Sequence, residues 1–200
     1  MSESRGPWTI HTQQIAYDNP WMSVREFDVT RPDGEPGLYG VVEPKNLAIG
    51  VLPIFENGDT LLVGQYRFAL DAYSWELPEG GGPLSDQPLV SAQRELTEET
   101  GYSARCWDHF GSYDMSNSIT NERAEMFLAW DLTLGKAERE GSEADMIVKR
   151  VALRDALDMT LTGKIRDAFT ALMLHKAVLL AQRGALDPKA TKLIVDAMEL

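Results

Sequence analysis

Between Gly80 and Tyr102 the chain reads GGGPLSDQPLVSAQRELTEETGY, which sets an arginine and three spaced glutamates on one expected helix just after a glycine-rich turn. On a helix, Glu95 and Glu99 stand at i,i+4 and share one face about one turn apart, and Glu98 is close enough to join them. Like charges at that spacing repel by roughly 0.2–0.5 kcal/mol per pair in an isolated helix. A hard divalent cation, bound through oxygen ligands, turns that repulsion into a binding site. The ordinary alternative is a solvated acidic face, which is where glutamate usually sits. Glycines 80–82 let main chain approach a metal or phosphate closely. They do not form a P-loop, because no Gly-Lys-Ser/Thr follows.

The elements that must position these groups can be read from periodicity and turn residues. Alternating apolar stretches predict strands near 8–17, 22–30, 38–42, 48–55 and 60–66. Asn19-Pro20, Arg31-Pro32-Asp33-Gly34 and Glu56-Asn57-Gly58-Asp59 separate them, and Asn57-Gly58 between two apolar runs predicts a hairpin. The acidic helix is expected over 88–100, with Ser85 or Asp86 as its N-cap and Gly101 as its C-cap. Further strands are expected at 104–113, 124–132 and 145–152. A short helix should follow at 153–160, a long amphipathic one at 165–182, and a last one from Pro188 to about 199. No internal repeat or low-complexity linker interrupts the chain.

Two hundred residues suffice for one domain with a small appended element. The 31 acidic against 19 basic residues, a net charge of −12, leave no basic footprint for nucleic acid or an anionic membrane. An acidic chain acting on an anionic phosphate would need bound metal to supply local positive charge. Cys106 is the single cysteine, so no intrachain disulfide forms, and it is expected as a small buried residue at the start of a strand. The first residues lack the apolar core of a signal peptide, and the stretch 171–181 is too short and too interrupted to span a bilayer. A cytoplasmic protein is expected. His11, His109 and His175 are scattered and make no ligand pair.

The 23-residue run resembles the Nudix box, G-x5-E-x7-R-E-U-x-E-E-x-G-U with U apolar. Gly80, Arg94-Glu95-Leu96, Glu98-Glu99 and Gly101-Tyr102 fall on its positions. One departure is Asp86, where the pattern has a glutamate that supports the box arginine; the shorter side chain should weaken that support without abolishing metal binding. Upstream, Gln65-Tyr66-Arg67 and Trp75-Glu76-Leu77-Pro78 resemble the ADP-ribose and nucleotide-sugar pyrophosphatase branch. Downstream, Gly163-Lys164-Ile165 with Asp167 and Thr170 resembles that branch's segment opening the last helix of the domain. The likeness covers roughly residues 40 to 183.

The resemblance implies an α+β fold, an α/β/α Nudix sandwich with a mixed sheet, preceded by a small N-terminal antiparallel β subdomain. Residues 1–42 would be that subdomain, 43–184 the hydrolase domain, and 185–200 a C-terminal helical extension without an evident counterpart in the family. It implies a homodimer built through the N-terminal strands, whose Trp8, Tyr17, Trp21 and Tyr39 supply aromatic area; the alternative is that these rings pack on their own domain. It implies magnesium, with manganese as a substitute, held by Glu95 and Glu99, with Glu98 as a further or outer ligand and the backbone carbonyl of Glu79 completing the shell. Arg94 would orient the glutamates, against the simpler role of a solvent-facing partner for Glu98. Arg67 would bind substrate phosphate, against that of a plain surface arginine. Glu122, in the recognition loop 115–122, matches a family acid. The general base would come from the loop 135–145, with Glu143 as first choice and Glu140 as second.

The implied reaction splits the diphosphate of a nucleoside diphosphate sugar into a nucleoside monophosphate and a sugar phosphate. ADP-ribose hydrolases of the branch tend to carry a proline sixteen residues after the closing glycine, and here that position is Asn117. The reading therefore leans toward a broader activity on sugars such as GDP-mannose or ADP-glucose, ahead of ADP-ribose. A catalytically inactive nucleotide-sugar sensor is the alternative from a different class; degenerate boxes mark that group, whereas this box keeps its three late glutamates. Hydrolysis of RNA ends is disfavoured by the acidic balance.

Overall fold

The computed structural model describes residues 3–137 and 145–199. Its contacts divide into two compact units: the chain up to Leu47 together with Tyr113–Ala124, and Ala48–Ser112 together with Glu125 onward.

The first unit is a four-stranded antiparallel sheet in the order β1-β2-β3-β4, formed by β1 (Glu3–Arg5), β2 (Trp8–Asp18), β3 (Met22–Thr30) and β4 (Pro36–Pro44). Asn19 makes the β2–β3 turn, its side-chain oxygen accepting from the N–H groups of Trp21 and Met22 at 2.9 and 2.8 Å. One face buries Ile10, Phe27 and Val29 under Trp8, Tyr39 and Val41. The segment Tyr113–Ala124 is tied on by Val42 N–H to the Ile119 carbonyl, Asn121 N–H to the Val42 carbonyl, and the Tyr39 hydroxyl to the Ser118 carbonyl.

The second unit holds two sheets. One has the order β8-β5-β10-β9, from β5 (Asn46–Pro53), β8 (Glu79–Pro83), β9 (Tyr102–Asp114) and β10 (Arg123–Leu134). The other has the order β11-β6-β7, from β6 (Asp59–Arg67), β7 (Ala72–Glu76) and β11 (Ile147–Ala152), all antiparallel. Four helices accompany them among the described residues: α1 (Pro88–Thr100), α2 (Leu153–Leu161), α3 (Ala168–Gln182) and α4 (Pro188–Met198). Their shared core includes Ile49, Leu62, Leu77, Leu96, Leu128 and Met173, each fully buried. This is the mixed-sheet α+β layout expected from the sequence, with the antiparallel sheet at its N-terminal end.

Several local expectations are corrected. Asn57-Gly58 does form a tight turn, with Gly58 at φ 82°, but β5 and β6 are not a hairpin. β5 is almost wholly buried and lies between β8 and β10, so the chain crosses to the other sheet instead of pairing back. Turn chemistry is local, whereas pairing follows burial. The glycines at 80–82 belong to strand β8, not to a turn. Neither Ser85 nor Asp86 caps α1: its N-cap is Gln87 without a side-chain bond, Pro88 occupies the first turn, and Ser85 donates to Asp86 instead. Gly101 closes α1 in the left-handed region at φ 77°, as expected. The third helix starts at Ala168 rather than 165, because Asp167 caps it by accepting from Thr170 N–H at 2.6 Å. Cys106 is half-buried within β9, with its Sγ 3.6 Å from Asp131 Oδ2.

The segment beyond residue 185 is integral to the second unit. Ala190 and Ile194 of α4 are fully buried, and Ala197 packs so closely on Gly58 that a Cβ there would lie 2.5 Å from its own. Asp131 of β10 pairs with Lys189 and with Arg105, the latter at 2.6 Å, and these two cations draw its pKa down to about 2.

Candidate active site

The amphipathic pattern of α1 buries Glu95 and Glu99 and leaves Glu98 half-exposed. Burying two carboxylates is costly unless polar partners meet them, and β8 supplies such partners with its main chain. A Cβ on Gly80 would lie 2.1 Å from Glu95 Cδ, so the absence of a side chain there makes room for that carboxylate. Glu79 N–H donates to Glu99 Oε2 at 3.1 Å. Arg94 donates to the Gly81 carbonyl at 2.7 Å and pairs with Glu95 Oε1 and Glu98 Oε2, each at 2.7 Å. Burial works against the Arg94 charge, but Glu95 and Glu98 outweigh it and raise its pKa. Both simple expectations for this arginine thus describe part of its contacts: it does pair with Glu98, and it also joins Glu95 to the glycine strand. Asp86, the departure from the box, accepts from Ser85.

On the other side, Arg67 at the end of β6 makes a forked pair with Glu76 of β7, with Nε 3.1 Å from both carboxylate oxygens and Nη2 closer still. The Gln65 amide, oriented to satisfy both its atoms, accepts from Arg67 Nη1 at 2.8 Å. This bonding to Glu76 raises the Arg67 pKa, with Glu79 and Glu99 contributing at longer range. Glu79 is strongly perturbed. Burial lifts it well above the usual carboxylate range, Asp167, Glu76 and Glu99 lift it further, and its bond from Thr170 works the other way.

The structure therefore brings Arg67, Glu79, Arg94, Glu95, Glu98 and Glu99 into one unit around β8 and α1. Among the described residues, no three His, Cys, Asp or Glu side chains converge closely enough to hold a cation as they stand. Glu98 is drawn to Arg94 and the Glu79 carboxylate to Thr170. The donor set nonetheless suits a hard divalent ion: carboxylate oxygens on one helix, those of Glu95 and Glu99 buried and mutually repelling. Glu122 belongs to the first unit, where burial raises its pKa. Glu143 and Glu140 lie outside the described residues.

Sequence reasoning gave no role to Glu76 or Thr170, although both fell within quoted motifs. Their partners, nine and ninety-one positions away, were not visible in the local pattern. In the first unit, a cavity of about 630 Å³ is lined by Trp8, Tyr39, Arg5 and Arg123 together with Ser116 and Asn117. Asn117, at the position where the branch's proline is looked for, thus lines a cavity.

Comparison with known proteins agrees with this architecture. A family model described as the nucleoside diphosphate sugar hydrolase N-terminal domain matches residues 8–42, and one for the NUDIX domain matches residues 44–173. The chain is 31% identical over 168 residues to an ADP-ribose pyrophosphatase of Bacillus subtilis (strain 168), covering 84% of this chain and 90% of that protein. It is 28% identical over 162 residues to a GDP-mannose pyrophosphatase of Escherichia coli O1:K1 / APEC, covering 74% and 83%. A crystal structure of an ADP compounds hydrolase superposes with a TM-score of 0.79 at 19% identity, covering 92% of this chain and 100% of the other, a likeness of fold. Helix α4 lies beyond the matched NUDIX region. The chain belongs to the Nudix hydrolase family, in its nucleoside diphosphate sugar hydrolase branch.

Proposed function

We propose that this Nudix hydrolase is a magnesium-dependent pyrophosphatase that cleaves the diphosphate of nucleoside diphosphate sugars to a nucleoside monophosphate and a sugar phosphate. The observation that carries the metal centre is the pair of buried glutamates, Glu95 and Glu99, set against the glycine run of strand β8. Glu95 and Glu99 are the principal ligands, Glu98 a further one, and the Glu79 carbonyl completes the shell. Bound there, magnesium, or manganese in its place, would supply positive charge for the phosphoryl oxygens and make the attacking water more acidic. Arg94 holds Glu95 and Glu98 in place, Arg67 turns its donors to phosphate, and Glu143 or else Glu140 takes the proton from the attacking water.

The names of its relatives support ADP-ribose and GDP-mannose as substrates, and ADP-glucose is of the same chemical type. The cavity of the first unit, with Trp8 and Tyr39 beside Arg5 and Arg123, has the aromatic and cationic lining that a nucleobase or sugar phosphate takes. Asn117 in its wall favours a broad sugar range over ADP-ribose alone. Glu122 acts in recognition from the same loop. Two copies associate through the N-terminal sheet, where Ile15, Tyr17 and Leu38, and Trp21 in the β2–β3 turn, leave apolar area exposed for a partner surface to cover. No helix of the described residues is long and apolar enough to cross a membrane, and we place the protein in the cytoplasm.

Incubation with magnesium and a panel of ADP-ribose, GDP-mannose, ADP-glucose and UDP-glucose, with products identified by mass, tests this reading. Release of paired nucleoside monophosphate and sugar phosphate supports it. Binding of the sugars without turnover would instead favour the sensor.

A further inference from the structure

We infer that Thr170 is a positioning residue for the metal centre, an assignment that rests on the centre proposed above. Its hydroxyl, offered from the first turn of α3, pins both ends of the Leu77–Glu79 tripeptide and through it fixes Glu99. Thr170 is fully buried. Its Oγ1 accepts from Leu77 N–H at 2.9 Å and donates to Glu79 Oε1 at 2.6 Å. A hydroxyl has one proton to give, so the bond to the Glu79 carboxylate commits that proton and turns a lone pair toward Leu77. The middle of the tripeptide is fixed independently, because the Pro78 carbonyl accepts from Val51 N–H at 2.9 Å.

With all three residues held, the Glu79 N–H is left aimed at Glu99 Oε2. The Thr170 backbone that carries this hydroxyl is itself held, since its N–H donates to the capping Asp167 side chain. A chain of contacts thus runs from the α3 cap to a carboxylate on α1, and no member of it before Glu79 need touch metal or substrate. A buried threonine that only satisfied the helix start would accept or donate locally. This one reaches across ninety-one positions to the strand entry that faces the box helix.

The test is Mn²⁺ binding to the purified full chain, read by electron paramagnetic resonance, for wild type, Thr170→Ser, Thr170→Ala and Thr170→Val. Valine sets a methyl against a carboxylate and can impair folding; alanine removes the hydroxyl without that clash. Circular dichroism melting confirms that each variant is folded at the assay temperature. Alanine is expected to weaken Mn²⁺ binding by about 10- to 100-fold, the usual effect of losing an outer partner of a metal site, with serine close to wild type. With a turned-over substrate, kcat should fall and KM for the sugar nucleotide should hold. Alanine that binds Mn²⁺ as wild type does, or serine as impaired as alanine, would overturn the inference alone. Wild type that binds no Mn²⁺ would overturn the metal centre and this inference with it.

Discussion

Glu79 and Glu99 are joined by a single bond, from the backbone N–H of one to the side-chain Oε2 of the other at 3.1 Å, and that bond links the entry of strand β8 to the box helix. It brings the Glu79 main chain within hydrogen-bond reach of the Glu99 carboxylate. The Glu79 side chain turns to α3 instead, so one residue serves two elements.

Gly80→Ala and Gly82→Ala should separate function from folding. The three atoms nearest a Cβ at 80 all belong to the carboxyl end of Glu95, a flexible side chain, whereas one at 82 meets Ile49 and Ser91 in packed surroundings. The first variant is expected to keep its melting temperature and lose at least about tenfold in turnover, as displaced metal ligands do. The second is expected to lose stability first. Thermal melts beside magnesium titrations of activity check both.

Arg94 serves three acceptors, so Arg94→Ala should lower kcat by about 10- to 100-fold. Arg94→Lys should recover little of it, because a point charge cannot fork between Glu95, Glu98 and the Gly81 carbonyl. Steady-state kinetics on both variants decide the point.

Arg67→Ala leaves Glu76, only 5% exposed, without its partner. The expected loss of stability is about 1–3 kcal/mol, moderated because the arginine itself is partly in water. Pairing it with Glu76→Gln should restore stability and leave the KM for substrate raised. Urea unfolding and KM measured on the single and double variants test the two roles separately.

How much of this was legible in the sequence depends on the range of each interaction. The box helix could be placed from residues within it: its spaced glutamates, Pro88 in its first turn and Gly101 at its end. Strand β8 was not legible, because glycine has little strand propensity and its place comes from α1 packing on it. The crossing of β5 and β6 into different sheets was hidden for a similar reason: an Asn-Gly turn looks the same in either topology. Glu76 and Thr170 act through pairings that only the fold creates.

Asp131 gives a pH dependence. Its pKa is held near 2, below the usual value for aspartate, by its bonds to Lys189 and Arg105. The depressed value means that the ionised form favours the folded state. Its contribution is present above about pH 4 and is lost as pH falls toward 2. Asp131→Asn should therefore flatten the stability profile in that window and change nothing in the shape above it. Chemical denaturation between pH 5 and 2 reads the difference.

Helix α4 lies beyond the matched NUDIX region but is packed as core. Ile194→Ala should cost about 2–5 kcal/mol, the range for a buried aliphatic truncation. Loss of less than 1 kcal/mol in a urea melt would show that α4 is only appended.

The central claim is that Glu99 holds the metal on which turnover depends. The most direct measurement is nucleoside monophosphate release from ADP-ribose and GDP-mannose across a magnesium titration, for wild type and Glu99→Gln side by side. Magnesium-dependent release by wild type is expected, with a loss of more than about 100-fold in the folded variant, beyond the effect of losing an outer partner of the metal. Equal turnover by the two proteins, or release that chelation leaves untouched, would contradict it.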